Sequence, residues 1–253
     1  MEDQIALQLV NPSDNWRERP DMDSDFSRTF RASIMGRARF IEDIVTDQVN
    51  EGVSQYVILG AGLDTFAERR PELGSRMRVF EVDRPGTQAW KRNRLMELGF
   101  DIPEWLRFVP VDFETEGSWL EKLQAAGFDR SQPAVVASAG VTQYLTKEAI
   151  ADTLRQVATL SPGSLLMMTF LLPPELTEPE VRSGFEESEK GARAGGTPFI
   201  SFFSPLEMLS LAREAGFSEV RHVPATELNE RYFTGRPDNL RLPSGEEFLL
   251  AMT

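Results

Sequence analysis

Residues 56–65 read Tyr-Val-Ile-Leu-Gly-Ala-Gly-Leu-Asp-Thr. The short apolar run Tyr56–Leu59 closes on Gly60, and Gly62 follows one residue later. A run of this length bounded by glycine predicts a buried strand, Tyr56–Gly60. Glycine at the carboxyl end of a strand lets backbone N–H groups approach a ligand closely. It also serves ordinary tight strand–helix turns, so the flanking sequence has to decide between the two.

Downstream, strand and helix patterns alternate. Strands are expected at Arg78–Val82, Arg107–Val111, Ala134–Ser138 and Ser164–Phe170. Helical stretches separate them at Gly86–Leu98, Glu116–Ala126 and Thr146–Leu160. That alternation is an α/β pattern with a parallel sheet. Pro110 places the third strand at an edge or ends it there. Upstream, Phe26, Phe30, Ile34, Ala38, Ile41 and Val45 fall at helical spacing and predict a helix from Ser24 to Asn50. The first twenty residues, polar and holding Pro12 and Pro20, read as an irregular lead-in. Beyond the fifth strand, Pro173–Phe203 is rich in Pro, Gly and Glu, a length and composition typical of a lid or substrate loop. An amphipathic helix follows at Pro205–Ala215, closed by Gly216, with strands expected at Phe217–Val223 and Glu247–Met252. The expectation is a single domain, 1–253, divided into a helical cover (1–50), a binding core (51–172), a lid (173–203) and a closing helix with two strands (204–253).

Composition excludes several functions. Of 253 residues, 41% are hydrophobic and 26% charged, which suits a globular protein with a sizeable core. The formal charge of −13 disfavours a nucleic-acid partner. No apolar run is long enough to span a bilayer and no secretion signal is visible, so no membrane partner and a cytoplasmic location are expected. Cysteine is absent and His222 is the only histidine, which excludes thiolate chemistry and any multi-histidine metal site, so no metal is expected.

Polar residues close three successive strands. Gly60, Ala61 and Gly62 follow the first. Glu81-Val82-Asp83 closes the second, where a carboxylate can take both ribose hydroxyls of an adenosine-containing ligand. Asp112 and Phe113 close the third, where an Asp can accept from an adenine amine beside an aromatic ring. Together they point to one crevice at the carboxyl ends of the strands. A dinucleotide fingerprint would place a third glycine where Thr65 stands, which argues against a nicotinamide-dependent oxidoreductase.

The segments YVILGAGLDTFAERRP, VFEVDRPGTQAWKRNRL, FVPVDFE and SAGVTQYLTKEAI together resemble the leucine carboxyl methyltransferase family, which includes polyketide O-methyltransferases. The resemblance covers about Arg31 to Leu160 with specific motifs and continues more loosely beyond. It implies a class I methyltransferase (Rossmann-like) fold, with a seven-stranded, mostly parallel sheet whose last strand is antiparallel and helices on both faces. It also implies S-adenosyl-L-methionine as cofactor. By the same resemblance Gly60, Ala61 and Gly62 would line the methionine portion, Asp83 would hold the ribose, and Asp112 and Phe113 would frame the adenine. Arg37 would pair with the cofactor carboxylate, with Arg39 the near alternative. One departure stands out. Where the family often reads Glu-Gly, this chain has Ala139-Gly140, so the cofactor amine needs another acceptor, such as a carbonyl near Ser138.

Methyl transfer from a sulfonium needs alignment and exclusion of water more than acid–base work. A carboxylate acceptor is already ionised, whereas a phenol gains from a base or a nearby cation. The candidate bases are Tyr144, His222 and the lid acids Glu186, Glu187 and Glu189. Tyr144, Phe185, Phe199, Phe202 and Phe203 are candidates for a pocket wall. The expected function is O-methylation of a small molecule, plausibly in secondary metabolism, by an enzyme whose oligomeric state is left open. A catalytically inactive adenosyl-ligand-binding relative, acting as partner or regulator, is the alternative that Ala139 raises.

Overall fold

The computed structural model describes residues 3–19, 22, 25–114 and 118–253, with the side chains of Asp25 and Phe26 excepted. Pro20, Ser24, Glu116 and the Phe26 side chain therefore lie outside the described residues. Among the described residues, seven strands form one sheet: β1 Gln55–Leu59, β2 Arg78–Asp83, β3 Leu106–Pro110, β4 Val135–Ser138, β5 Leu165–Leu171, β6 Glu219–Val223 and β7 Glu246–Met252. Their order is β3-β2-β1-β4-β5-β7-β6. β1 to β5 pair in parallel, and β7 runs antiparallel between β5 and β6. β3 lies at an edge and ends on Pro110, where a missing N–H costs no ladder bond. The strand order reverses beside β1, between β2 and β4, and ligands bind open α/β sheets at such a point.

Among the described residues, ten α-helices surround the sheet: α1 Gln4–Val10, α2 Asp25–Asn50, α3 Phe66–Arg69, α4 Pro71–Gly74, α5 Pro85–Glu97, α6 Trp119–Ala125, α7 Lys147–Ala158, α8 Pro179–Ala194, α9 Pro205–Ala215 and α10 Ala225–Tyr232. The period of two along β1 divides the core. Val57 and Leu59 pack with Trp119, Leu123, Ile150, Leu154, Met208 and Ala212 of α6, α7 and α9. Tyr56 and Ile58 face the opposite side and pack with Phe40, Val45, Phe66, Leu73 and Leu228 of α2, α3, α4 and α10. The predicted helix over Pro205–Ala215 forms with those bounds and a full capping box, Ser204 with Glu207.

The lead-in differs from expectation, because part of it is helical. Asp3 caps α1 by accepting from the N–H of Ala6 at 2.8 Å, and Leu9 is fully buried. From α5, Arg94 donates to the carbonyls of Leu9 and Gln8, both at 3.2 Å, satisfying the far end of α1. A seven-residue helix is marginal alone and forms because distant residues complete it.

Candidate active site

The turn after β1 is fixed by its neighbours. Gly60 has φ +69°, and a Cβ there would lie 2.3 Å from a methyl of Val141, so only glycine fits. The N–H groups of Gly60 and Ala61 both donate to the Val82 carbonyl, at 2.7 and 3.2 Å. Gly62 N–H donates to Asp83 Oδ2 at 2.5 Å, and Arg84 N–H donates to Asp83 Oδ1 at 2.6 Å. Asp83 thus ties the β1 turn to the end of β2. A carboxylate accepts about four hydrogen bonds, so lone pairs remain for ligand hydroxyls.

Glu81, two residues earlier, points beneath the turn. Lys91 of α5 lies 2.5 Å from its Oε2, and both side chains are 1% exposed. Lys91 also donates to the backbone carbonyl of Asp64, so it braces the turn from below. Burial pushes Glu81 up to about 8 against the attraction of Lys91. Burial raises the carboxyls of Asp64 and Glu68 as well, and holds the Tyr56 phenol well above its ordinary value. For Lys91, burial draws the ammonium down, but Glu81, Asp64 and Glu68 outweigh it and its pKa is raised. The turn therefore rests on a buried cluster of ionisable groups.

Above the turn lies a cleft of about 560 Å³, lined by Gly60, Ala61, Gly62, Arg37, Ala139 and Tyr56 among others. The amino-terminal segment closes it. Ala6 of α1 lines the cleft, and the second carboxylate oxygen of Asp3 accepts from the Thr65 hydroxyl and pairs with Arg69 at 3.2 Å. Of the two candidate arginines on α2, Arg37 reaches the cleft, whereas Arg39 is exposed and pairs with Asp43 at 2.8 Å. Arg37 Nη1 donates to both oxygens of Glu246, at 2.7 and 2.9 Å. Gly140 makes room for it: its φ is +71°, and a Cβ there would lie 2.9 Å from Arg37 Nη1. Its N–H is fixed to Thr169 Oγ1 at 2.8 Å.

Beyond Arg37 a second cavity, of about 290 Å³, opens under the lid and is lined by Arg37, Glu246, Gln143, Tyr144, Phe185 and Phe199 among others. Phe199 meets Tyr144 edge-on, with ring centres 5.5 Å apart, and lies 6.2 Å from Phe185. The lid is pinned where it leaves the cavity. Ile200 N–H donates to the Gln143 carbonyl at 2.7 Å, and the Ser201 hydroxyl donates to the Leu145 carbonyl at 2.6 Å.

Other sequence candidates fall elsewhere. Ser138 is buried at the end of β4. Asp112 pairs with Arg84 at 3.2 Å, and Phe113 packs edge-on to Trp119 at 6.5 Å; like Asp83, neither lines the cleft. Phe202 and Phe203 are not in the pocket wall, since Phe203 turns into the core below Lys147. His222 lies on β6, 2.5 Å from Glu247, and borders neither cavity. The lid acids Glu186, Glu187 and Glu189 also line neither, and Glu189 pairs with Arg193 at 2.8 Å. Sequence reasoning missed Glu246, Gln143 and Lys91. A carboxylate opening the last strand and a lysine ten residues after Glu81 were the available signals.

Comparison with known proteins agrees with this geometry. Residues 1–158 match the leucine carboxyl methyltransferase family. The chain belongs to that family. Among its relatives is a Bacillus subtilis protein named as the S-adenosyl-L-methionine-dependent methyltransferase YktD, 34% identical over 207 residues, covering 81% of this chain and 67% of that one. A Mycobacterium sp. (strain KMS) protein named for the same activity is 37% identical over 155 residues, covering 60% of this chain and 49% of that one. The chain thus spans about half the length of this mycobacterial relative. In fold it is similar to a DUF574 family protein from Streptomyces avermitilis, with a TM-score of 0.63, 16% identity and coverage of 98% and 95%. The strand order and the antiparallel β7 are those of class I methyltransferases, and the family's cofactor is S-adenosyl-L-methionine.

Proposed function

We propose that the chain is an O-methyltransferase that moves the methyl group of S-adenosyl-L-methionine to a carboxylate or phenolic hydroxyl of a small molecule, a product of secondary metabolism, in the cytoplasm. The observation that carries this reading is the shared wall: Arg37 lines both the glycine-turn cleft and the aromatic pocket under the lid. A donor seated in the cleft would face an acceptor in the pocket, and a pocket of about 290 Å³ favours a small ring compound over a protein terminus. The residues present fit the cofactor. Asp83 offers carboxylate lone pairs, Arg37 a guanidinium, and the Gly60 turn a close backbone approach. The cofactor supplies an activated methyl on a positively charged sulfur. The chain supplies alignment: α1 and the lid exclude water, and Lys91 holds the turn in place. We also treat 1–253 as one domain, because cover, core and lid close over one edge of one sheet.

Ala139 favours a second reading, a catalytically inactive relative that binds the cofactor as a partner or regulator. A panel of phenols and carboxylic acids, assayed with S-adenosyl-L-methionine, separates them. Release of S-adenosylhomocysteine with a matching methylated product is expected. Cofactor binding with no product across the panel favours the second reading.

A further inference from the structure

Among the described residues, two arginines line the glycine-turn cleft, Arg37 and Arg69. Arg69 is committed within the chain, because it pairs with Glu42 at 2.5 Å and with Asp3 at 3.2 Å. Arg37 is committed only in part. Both oxygens of Glu246 accept from its Nη1, at 2.7 and 2.9 Å, and among the described residues its Nε and Nη2 make no hydrogen bond. That leaves open the edge of a guanidinium that takes a carboxylate through two parallel bonds. The cofactor carries one anionic group, the carboxylate of its amino-acid end. Arg37 is the cleft arginine with donors to spare for it.

Arg37 reaches the cleft on a long, flexible side chain from α2, whereas Glu246 stands on the sheet. It opens β7, lies in register with Leu171 of β5, and its side chain is 17% exposed. Gly140 leaves room on another side of the guanidinium: a Cβ there would lie 2.9 Å from Nη1 and 3.3 Å from Nη2. Glu246 lines the lid pocket and not the cleft, so its action on the cofactor passes through Arg37. We infer that Glu246 is a positioning residue for the cofactor, an inference that rests on the assignment of Arg37 to the cofactor carboxylate. It holds Arg37 by Nη1, which keeps the Nε–Nη2 edge ready for that carboxylate. A guanidinium fixed in advance loses less freedom on binding than a loose one. The negative charge of Glu246 opposes a bound carboxylate, but the cofactor's amino-acid end also carries an ammonium, and the two effects offset each other. The pre-set guanidinium is then the larger effect.

Two ligands separate this role from a merely structural one. S-adenosylhomocysteine has the amino-acid end, and methylthioadenosine keeps the adenosine and the sulfur without it. Each is titrated by calorimetry into the full chain. Arg37→Met should weaken S-adenosylhomocysteine at least about tenfold and leave methylthioadenosine within about twofold, which judges the Arg37 assignment by itself. Glu246→Ala should weaken S-adenosylhomocysteine about tenfold and also leave methylthioadenosine within about twofold. Glu246→Gln keeps an acceptor for Nη1 and should stay within about threefold of wild type. In the Arg37→Met background, Glu246→Ala should cause no further loss, because nothing is left to position. If Glu246→Ala is unfolded by circular dichroism, Glu246→Val, which suits a strand, is read by the same criteria. Four results would overturn the inference and leave the Arg37 assignment intact: unchanged or tighter S-adenosylhomocysteine in Glu246→Ala, an equal loss for both ligands, a loss in Glu246→Gln as large as in Glu246→Ala, or a further loss in the Arg37→Met background. Wild-type affinity for S-adenosylhomocysteine in Arg37→Met would overturn the assignment and the inference with it. Absence of S-adenosylhomocysteine binding in wild type would overturn both and the reading of the cleft as well.

Discussion

Lys91 reaches from α5 to two oxygens, one on Glu81 and one on the backbone of Asp64, and both it and Glu81 are out of water. Removing one partner of such a pair strands the other, which typically costs about 3–5 kcal/mol, while replacing both with apolar groups costs far less. At alkaline pH, above the folded value of Glu81, Lys91→Met should lower unfolding stability by about 3 kcal/mol or more. The double variant Lys91→Met with Glu81→Leu should recover most of that loss, as read by chemical denaturation. A single variant as stable as wild type would remove the brace from the account. Glu81 also predicts a pH dependence. Its folded value, about 8, lies above its ordinary 4.5, so the folded state holds this proton more tightly. The contribution is full below the ordinary value and is lost as pH rises through the folded value. Between about pH 5 and about pH 9, wild-type stability should fall more steeply than that of Glu81→Gln. Parallel pH profiles would contradict this. None of it was legible locally. Lys91 is one of four lysines in the sequence, and only the strand–turn–helix geometry brings it under the glycines. Glu246 was hidden for the same reason, since it meets Arg37 across 209 positions.

Elements set by their own pattern were the legible ones. The strands β1, β2, β4 and β5 announce themselves as apolar runs, and α9 by its amphipathic pattern and closing glycine. Several elements failed to show: α8, a helix inside the segment read as a lid loop, α10, and α1, which Arg94 and Thr65 complete from elsewhere; Phe203 follows the core rather than the lid. The turn after β1 joins both kinds, because its glycines are visible in sequence and their necessity comes from Val141. Gly60→Ala should cost about 1–3 kcal/mol of stability from the positive φ, beyond the clash with Val141, and should weaken cofactor binding more than tenfold. Adding Val141→Ala should relieve the clash and leave the backbone strain. Retention of full cofactor affinity by Gly60→Ala would show that the turn tolerates a side chain and does not approach the ligand.

At the scale of the whole molecule, three layers meet at one edge of the sheet. The strand ends of β1, β2 and β4 present the turn and Asp83, the amino-terminal helices cover the cleft, and the lid encloses the pocket beyond Arg37. The central claim is that this edge holds S-adenosyl-L-methionine, gripped by Asp83. Calorimetric titration of S-adenosylhomocysteine into wild type and Asp83→Ala, with NAD as the comparison ligand, tests it most directly. The account predicts one site per chain, a loss of about 1.5–3 kcal/mol in Asp83→Ala, and no heat from NAD. Absence of a binding signal in wild type, equal affinity in the variant, or binding of NAD at the same site would contradict it.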